Sequence, residues 1–152
     1  MARVLVTGSR SWADAQLLEV ALLSAWDEAL QAGFDGIVVV EGEAEAGADP
    51  MARQWAEARG ITVDRVPADW PGPCGSDCRP GHRRLRRGGG EYCPTAGHRR
   101  NQVMVDRGAS VALAFLVPEL PCRGTRDCMR RAQLAGIPVW SFLAPAVEGA
   151  QL

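Results

Sequence analysis

Short apolar runs alternate with longer helix-patterned stretches along the chain, and that alternation constrains the fold more than any other feature. Arg3 to Thr7 reads as a buried strand and Gly8 to Trp12 as a turn. Asp14 then caps a helix running to about Ala32. Its predicted inner face is Leu18, Ala21, Leu22, Ala25, Ala29 and Leu30, and its stop is Gly33. Ile37 to Val40 is a second strand, followed by the loop Glu41 to Ala48. Asp49-Pro50 supplies an N-cap with proline at the first helical position, and this helix closes at Gly60. Ile61 to Val66 is a third strand. After a long break come a helix from about His98 to Arg107, closed by Gly108, and a strand from Ser110 to Val117. A helix from Thr125 to Ala135, a stop at Gly136, a fifth strand from Ile137 to Phe142 and a ten-residue tail complete the chain.

Strands alternating with helices predict an α/β fold, a doubly wound parallel five-stranded sheet covered on both faces. Right-handed crossovers leave 3-2-1-4-5 as the simplest strand order. The switch point then lies between the first and fourth strands, and ligands of such sheets bind beyond the carboxyl ends there. The loops Gly8 to Trp12, Glu41 to Asp49 and Pro118 to Thr125 should converge on it, bordered by His98 to Asn101. The turn Cys122-Arg123-Gly124-Thr125-Arg126-Asp127 opens a helix, so free backbone N–H groups at the positive end of a helix dipole suit it to phosphate. Gly124 permits close approach, and Thr125 either caps the helix or donates to a phosphate oxygen. Arg99, Arg100 and Asn101 bring guanidinium and amide groups to another helix start. Together these segments predict a nucleotide or sugar-phosphate pocket.

A length of 152 residues suits one domain, 1–152, and a net charge of −1 gives no global pull toward nucleic acid or a membrane. All 17 basic residues are arginine, which reads as the coding bias of a GC-rich genome; only the local clustering of arginine carries weight. The chain starts directly in a strand, with no signal-like apolar stretch, and no segment approaches the roughly 20 apolar residues of a membrane-spanning helix. A cytoplasmic location is expected. Its five cysteines should then be thiols or metal ligands rather than disulfides.

Residues 70–96 form a Cys/Arg-rich insert after the third strand, without periodicity and too long for an idle connection. Cys74, Cys78, His82 and Cys93 give the pattern C-x3-C-x3-H-x10-C, which fits a structural, tetrahedral Zn2+ site. His98 is the substitute ligand should His82 lie remote. Cys122 and Cys128 are far away in sequence and read as pocket-wall or core thiols. Arg83, Arg84, Arg86 and Arg87 make a basic stretch that could grip a nucleic-acid backbone or a polyanionic ligand. Only Tyr92 is available nearby for stacking, so a solvated basic loop is the favoured reading and nucleic acid the lesser one.

Five stretches occur in an order that resembles the SLOG superfamily, specifically its YspA/YpsA-related branch. They are Val6-Thr7-Gly8-Ser9-Arg10, Gly47-Ala48-Asp49, Pro67-Ala68-Asp69-Trp70, Arg100-Asn101-Gln102-Val103-Met104 and Arg123-Gly124-Thr125-Arg126-Asp127. The resemblance covers about residues 3–142. It implies a Rossmann-like domain, a nucleotide-derived or ADP-ribose-like ligand, and a homo-oligomer. The expected ligand-binding set is Gly8, Ser9, Arg10, Glu41, Gly42, Gly47, Asp49, Arg100, Asn101, Arg123, Gly124 and Thr125. Catalytic relatives are the LOG phosphoribohydrolases, which cleave the N-glycosidic bond of nucleoside monophosphates. Their Arg-Lys-x-x-Met stretch is similar to Arg100–Met104, which would make Arg100 the catalytic arginine. Their Gly-Gly-x-Gly-Thr-x-x-Glu motif is similar to Pro121–Cys128, but Cys128 stands at the glutamate and Pro121-Cys122 at the glycine pair. Asp127 is the nearest substitute carboxylate, and an acid favoured by the dipole of a helix's first turn is its blander role. Glu41, Glu43 and Glu45 depart from a neutral glycine-rich loop. Three carboxylates repel phosphate, so solvation is expected for that loop, with contact to ribose hydroxyls or to Arg10 or Arg100 the alternative for Glu41. A third relative, the DNA-processing protein DprA, binds single-stranded DNA. The choice therefore lies between a nucleotide sensor or processing protein, a LOG-like hydrolase and a single-stranded nucleic-acid binder.

Overall fold

The computed structural model describes residues 1–145; the expected tail lies outside them from residue 146 onward. In chain order the elements are β1 (Ala2–Gly8), α1 (Ala15–Gln31), β2 (Ile37–Glu41), α2 (Ala48–Ala58), β3 (Val63–Arg65), β4 (Arg84–Leu85), β5 (Glu91–Tyr92), α3 (Ala96–Asp106), β6 (Val111–Leu116), α4 (Arg123–Leu134) and β7 (Val139–Leu143). Five strands form one sheet in the order β3-β2-β1-β6-β7, and every neighbouring pair is parallel. The other two, β4 and β5, make a small antiparallel hairpin inside the insert. Leu143, expected in the tail, closes β7.

The period-two alternation of strands sorts the core into two layers. Val4 and Val6 face a cluster with Leu18, Leu22, Trp55 and Phe115, formed under α1 and α2. Leu5 and Val40 face the opposite cluster with Met104, Val105, Cys128 and Ala132, supplied by α3 and α4. β6 is buried at all six positions, as a strand covered on both faces must be. On α1 the predicted inner face is buried except Leu30, which is 49% exposed. It lies in the last turn of α1, and Ala29 takes the buried position beside it.

The helix starts differ from expectation. Asp14 caps α1, its carboxylate accepting from Leu17 N–H at 2.9 Å. Elsewhere the caps lack side-chain bonds: Gly47 precedes α2, Thr95 precedes α3 and Cys122 precedes α4. Asp49 is therefore not the cap of α2 but a residue of its first turn. Gly47, at φ +84°, packs against the Ser9 carbonyl with no room for a Cβ, and this close approach fixes where α2 begins. Thr125 likewise lies inside α4 rather than capping it, because Cys122 takes the left-handed conformation (φ 47°) and begins the helix early. The third strand is shorter than expected, three residues against six.

Candidate functional site

A cavity of about 560 Å³ opens above the carboxyl ends of the central strands. Val6, Thr7 and Gly8 of β1 form its floor, and the turn after them adds Ser9 and Arg10. Gly42, Ala44 and Asp49 line it from the β2–α2 side, while Gly97, His98, Arg100 and Asn101 line it from α3. Cys122, Arg123, Gly124 and Thr125 close it at the start of α4. Ten of the twelve expected ligand-binding residues thus border one space. Glu41 and Gly47 do not; Glu41 is buried beneath the loop and Gly47 is part of the strand-loop packing.

The α4 edge is an open helix terminus. Arg126 N–H donates to the Cys122 carbonyl at 2.9 Å, the first bond of the α-helical ladder. The N–H groups of Arg123, Gly124 and Thr125 precede it and have no acceptor within the helix. Gly124 leaves its Cβ position open, with nothing within 4 Å. Cys122, where the LOG motif has glycine, keeps the left-handed backbone that glycine would adopt freely.

Arg100 is the cation held deepest in this site. It donates to the Gly42 carbonyl and, through Nε, to Asn101 Oδ1 at 3.1 Å. Burial pushes its guanidinium pKa down, against the opposing pull of the Asp49 carboxylate. Asp49 is itself raised by burial, although its Oδ2 accepts from the Ala44 N–H (3.1 Å) and the Gly42 N–H (3.2 Å) and Arg100 lies near. Arg10, Arg84 and Arg123 also line the cavity, and Asp49 is the one carboxylate among its described lining residues. Four guanidinium groups against one carboxylate make a space suited to an anion.

Asp127 does not border the cavity. It lies past the first turn of α4, where the expected dipole role would have placed it, and faces α3. Its carboxylate accepts from Asn101 (3.0 Å), Arg131 (2.8 Å) and Arg130 (3.1 Å). Burial raises its pKa, but Arg131 and Asn101 outweigh that and hold it below the usual carboxylate range. Cys128, the residue at the LOG glutamate position, is fully enclosed, and burial pushes its thiol up to about 11.

The acidic loop is solvated only in part: Glu45 is exposed, as expected, whereas Glu41 and Glu43 are paired with arginine. Glu41 is 0% exposed, with Oε2 accepting from the Glu43 N–H at 2.8 Å and Oε1 from Arg53 at 3.3 Å. Arg65 lies 3.7 Å from Glu41 and also pairs with Glu43. Arginine contact, the alternative for Glu41, is what the fold provides, through Arg53 and Arg65 rather than Arg10 or Arg100. Burial raises the Glu41 pKa, and Arg53 and the Glu43 amide work against that shift.

Within the insert Cys74, Cys78, His82 and Cys93 converge, with one ligand atom from each all within 4.8 Å of one another. His82 Nε2 is 3.0 Å from Cys74 Sγ and 3.4 Å from Cys93 Sγ, and Cys78 Sγ is 3.7 Å from Cys93 Sγ. The four form a cluster that can bind a metal ion. All five cysteines are free of disulfides. His82 being in place, His98 is not needed as a ligand and instead borders the cavity. Arg99 donates to the Cys78 and Cys93 sulfurs at 3.3–3.5 Å, and Arg83 to Cys74 at 3.5 Å. Burial raises the Cys93 thiol, but Thr95 and Arg99 bring it down to about 5.

The basic stretch is dispersed by the hairpin. Arg83 turns inward to the Gly72 carbonyl at 2.8 Å, Arg84 lines the cavity, and the Arg86 guanidinium lies 5.8 Å from the Tyr92 ring centre. Trp70 and Arg84 line the cavity but are absent from the expected ligand-binding set. Trp70 had a signal, since it closes the Pro67–Trp70 motif just past the third strand; Arg84 was hidden in its run of arginines.

Among the described residues no helix is long and apolar enough to cross a membrane. A family model for the YspA, cpYpsA-related SLOG family matches residues 2–71. The gene 61 protein of Mycobacterium phage D29 is 40% identical over 147 residues, which cover 93% of this chain and 97% of that protein. The parallel sheet, the motifs around its carboxyl edge and these two likenesses agree: the chain belongs to the YspA, cpYpsA-related SLOG family.

Proposed function

We propose that this Rossmann-like domain binds a nucleotide or nucleotide-sugar, ADP-ribose-like, at the carboxyl edge of its sheet, as a sensor or nucleotide-processing protein. The observation that carries this reading is the uncapped start of α4, whose free N–H groups face a cavity containing Arg10, Arg84, Arg100 and Arg123. A phosphate there accepts backbone N–H bonds from Gly124 and Thr125 and charge-assisted bonds from arginine. Family membership supports a nucleotide-related role. Hydrolysis of the LOG kind is the weaker reading. It needs a carboxylate beside the forming oxocarbenium ion, and Asp127 is turned away into ion pairs with Arg130 and Arg131. Nucleic-acid binding is the other weaker reading, because Arg83 is bound to the Gly72 carbonyl and Arg84 lines the cavity, which leaves Arg86 and Arg87 as the exposed arginines outside it.

For the insert we propose a structural Zn2+ held by Cys74, Cys78, His82 and Cys93. Sulfurs bound at about 2.3 Å in a tetrahedron lie about 3.7 Å apart, and Cys78 and Cys93 have that separation. Three thiolates exceed the charge of one divalent ion by one, and Arg83 and Arg99 are placed against the sulfurs to offset it.

Isothermal titration with ADP-ribose and AMP tests the ligand reading. Binding of either, weakened by Arg100→Ala, supports it; no binding of any phosphorylated nucleoside overturns it.

A further inference from the structure

Trp70 stands where the insert meets the cavity. Its ring lies against the start of α3, so closely that a Cβ on Gly97 would fall 3.0 Å from Trp70 Cη2 and 3.4 Å from Cζ2. Its carbonyl accepts from the Cys93 N–H at 2.9 Å, and its ring meets Tyr92 edge-on with centroids 6.2 Å apart. Both fastenings belong to the insert, and Cys93 is also a member of the four-residue cluster. Trp70 is the one Trp, Tyr or Phe side chain on the cavity wall among the described residues. Opposite charge requirements are met elsewhere in the same space, by the start of α4 and by Arg100.

An anion site with one indole on its wall has the two chemistries that a nucleotide presents, a phosphate and a flat π-system. Every nucleobase offers such a face, so stacking on tryptophan holds a base without selecting which one. Pro94 and Met104 add apolar surface to the same wall system, as a base plane requires. The insert also reaches α3 directly. Arg99 is tied to the Cys78 and Cys93 sulfurs and to the Pro73 carbonyl, while its neighbour Arg100 enters the cavity. Arg99 thus ties the insert to α3, while α3 itself is held on the sheet by Met104 and Val105 and keeps Arg100 in place.

We propose that Trp70 is the wall on which the ligand's base stacks, and that metal bound by the cluster holds that wall in place. The inference rests on the nucleotide reading above and extends it: base affinity, not phosphate affinity, depends on the metal. With the cluster empty, the chain between Trp70 and Cys93 loses its staple and Trp70 loses a fixed position, whereas α4 and Arg100 belong to the sheet layers and stay.

The test compares AMP with ribose 5-phosphate, which share ribose and phosphate and differ by the base, using isothermal titration of metal-loaded protein. AMP should bind roughly 5- to 150-fold more tightly, the range of one base stacked on an aromatic ring. Trp70→Leu, which keeps bulk but removes the π face, should bring AMP down to the affinity of ribose 5-phosphate and leave ribose 5-phosphate unchanged. Trp70→Phe should retain most of the preference, which separates stacking from a folding defect. Chelated wild-type protein should behave as Trp70→Leu does. An AMP preference that survives both Trp70→Leu and chelation overturns the inference while the nucleotide reading stands. So does wild-type protein that binds both compounds equally. Failure of the wild type to bind either compound removes the nucleotide reading itself.

Discussion

The side-chain amide of Asn101 bridges two helix starts, donating to the Asp127 carboxylate at 3.0 Å and to the Gly124 carbonyl at 3.1 Å. Its oxygen accepts from Arg100 at 3.1 Å. One buried amide therefore aligns the deepest cavity cation with the open end of α4, and it draws Asp127 out of the cavity in doing so.

That arrangement predicts no hydrolysis. N-glycosidic cleavage needs a carboxylate at the sugar, and the nearest substitute is held among Asn101, Arg130 and Arg131. Incubated with AMP, the protein should release no more free base than buffer does, measured by chromatography over hours. Rapid release abolished by Asp127→Asn would make Asp127 catalytic after all. Rapid release that Asp127→Asn leaves intact would place the active carboxylate elsewhere.

Arg100 should separate phosphorylated from unphosphorylated ligands. A charge-assisted hydrogen bond contributes roughly 1.5–3 kcal/mol, so Arg100→Ala should weaken AMP binding by about 10- to 150-fold and adenosine binding far less. Arg100→Lys restores charge but not the fork that reaches both Gly42 and Asn101, so it should recover only part of the loss. Equal losses for AMP and adenosine would place the phosphate away from Arg100.

The layered sheet was legible because its signals are local. Apolar runs with Gly33, Gly60, Gly108 and Gly136 at helix ends mark the elements without reference to the rest of the chain, and all four glycines have positive φ. The Cys/His cluster was legible for the same reason, since three cysteines and a histidine within twenty residues identify themselves. The starts of α2 and α4 were not. Gly47 is fixed by its packing on the Ser9 carbonyl and Cys122 by a backbone conformation, and neither leaves a capping residue to read. Glu41 was misread for a similar reason: its partners Arg53 and Arg65 lie 12 and 24 positions on, and periodicity says nothing of such pairings. The dispersal of the arginine run depends on a hairpin of two-residue strands, too short to show a period.

Asp64 should shape the acid limb of stability. Its Oδ2 lies 2.7 Å from Arg3, and Arg107 approaches Oδ1 at 3.0 Å, joining the sheet edge to the end of α3. The Arg3 bond, and after it Arg107, holds the carboxyl below its ordinary value despite burial. A depressed folded pKa gives stability that is present above the unfolded value of about 3.9 and lost as pH falls through the folded value. Solvent screening limits the pair to several tenths to about 1 kcal/mol. Asp64→Asn should lower the urea midpoint at pH 7 and have no effect at a pH below both values. An equal loss at both pH values would mean that packing, not charge, is what Asp64 supplies.

Metal removal should unfasten the insert and spare the sheet. The cluster residues Cys74, Cys78, His82 and Cys93 converge from along a segment whose regular structure is one two-strand hairpin. The five-stranded sheet has its own two core clusters, and of the four ligands only Cys93 is among the buried apolar residues, outside both. Binding free energy in a closed zinc site is folding free energy for the segment it closes. Protein purified without chelator should therefore contain one zinc per chain by elemental analysis. Chelation should bring rapid proteolysis within residues 70–96, where Arg84, Arg86 and Arg87 offer trypsin sites, while far-ultraviolet circular dichroism keeps its α/β form. Cys78→Ser should reproduce the cleavage without chelator, because three ligands cannot close a tetrahedral site. Cleavage unchanged by chelator in zinc-containing protein would show that the hairpin, with Arg83 bound to Gly72 and Glu91, holds the insert without the metal.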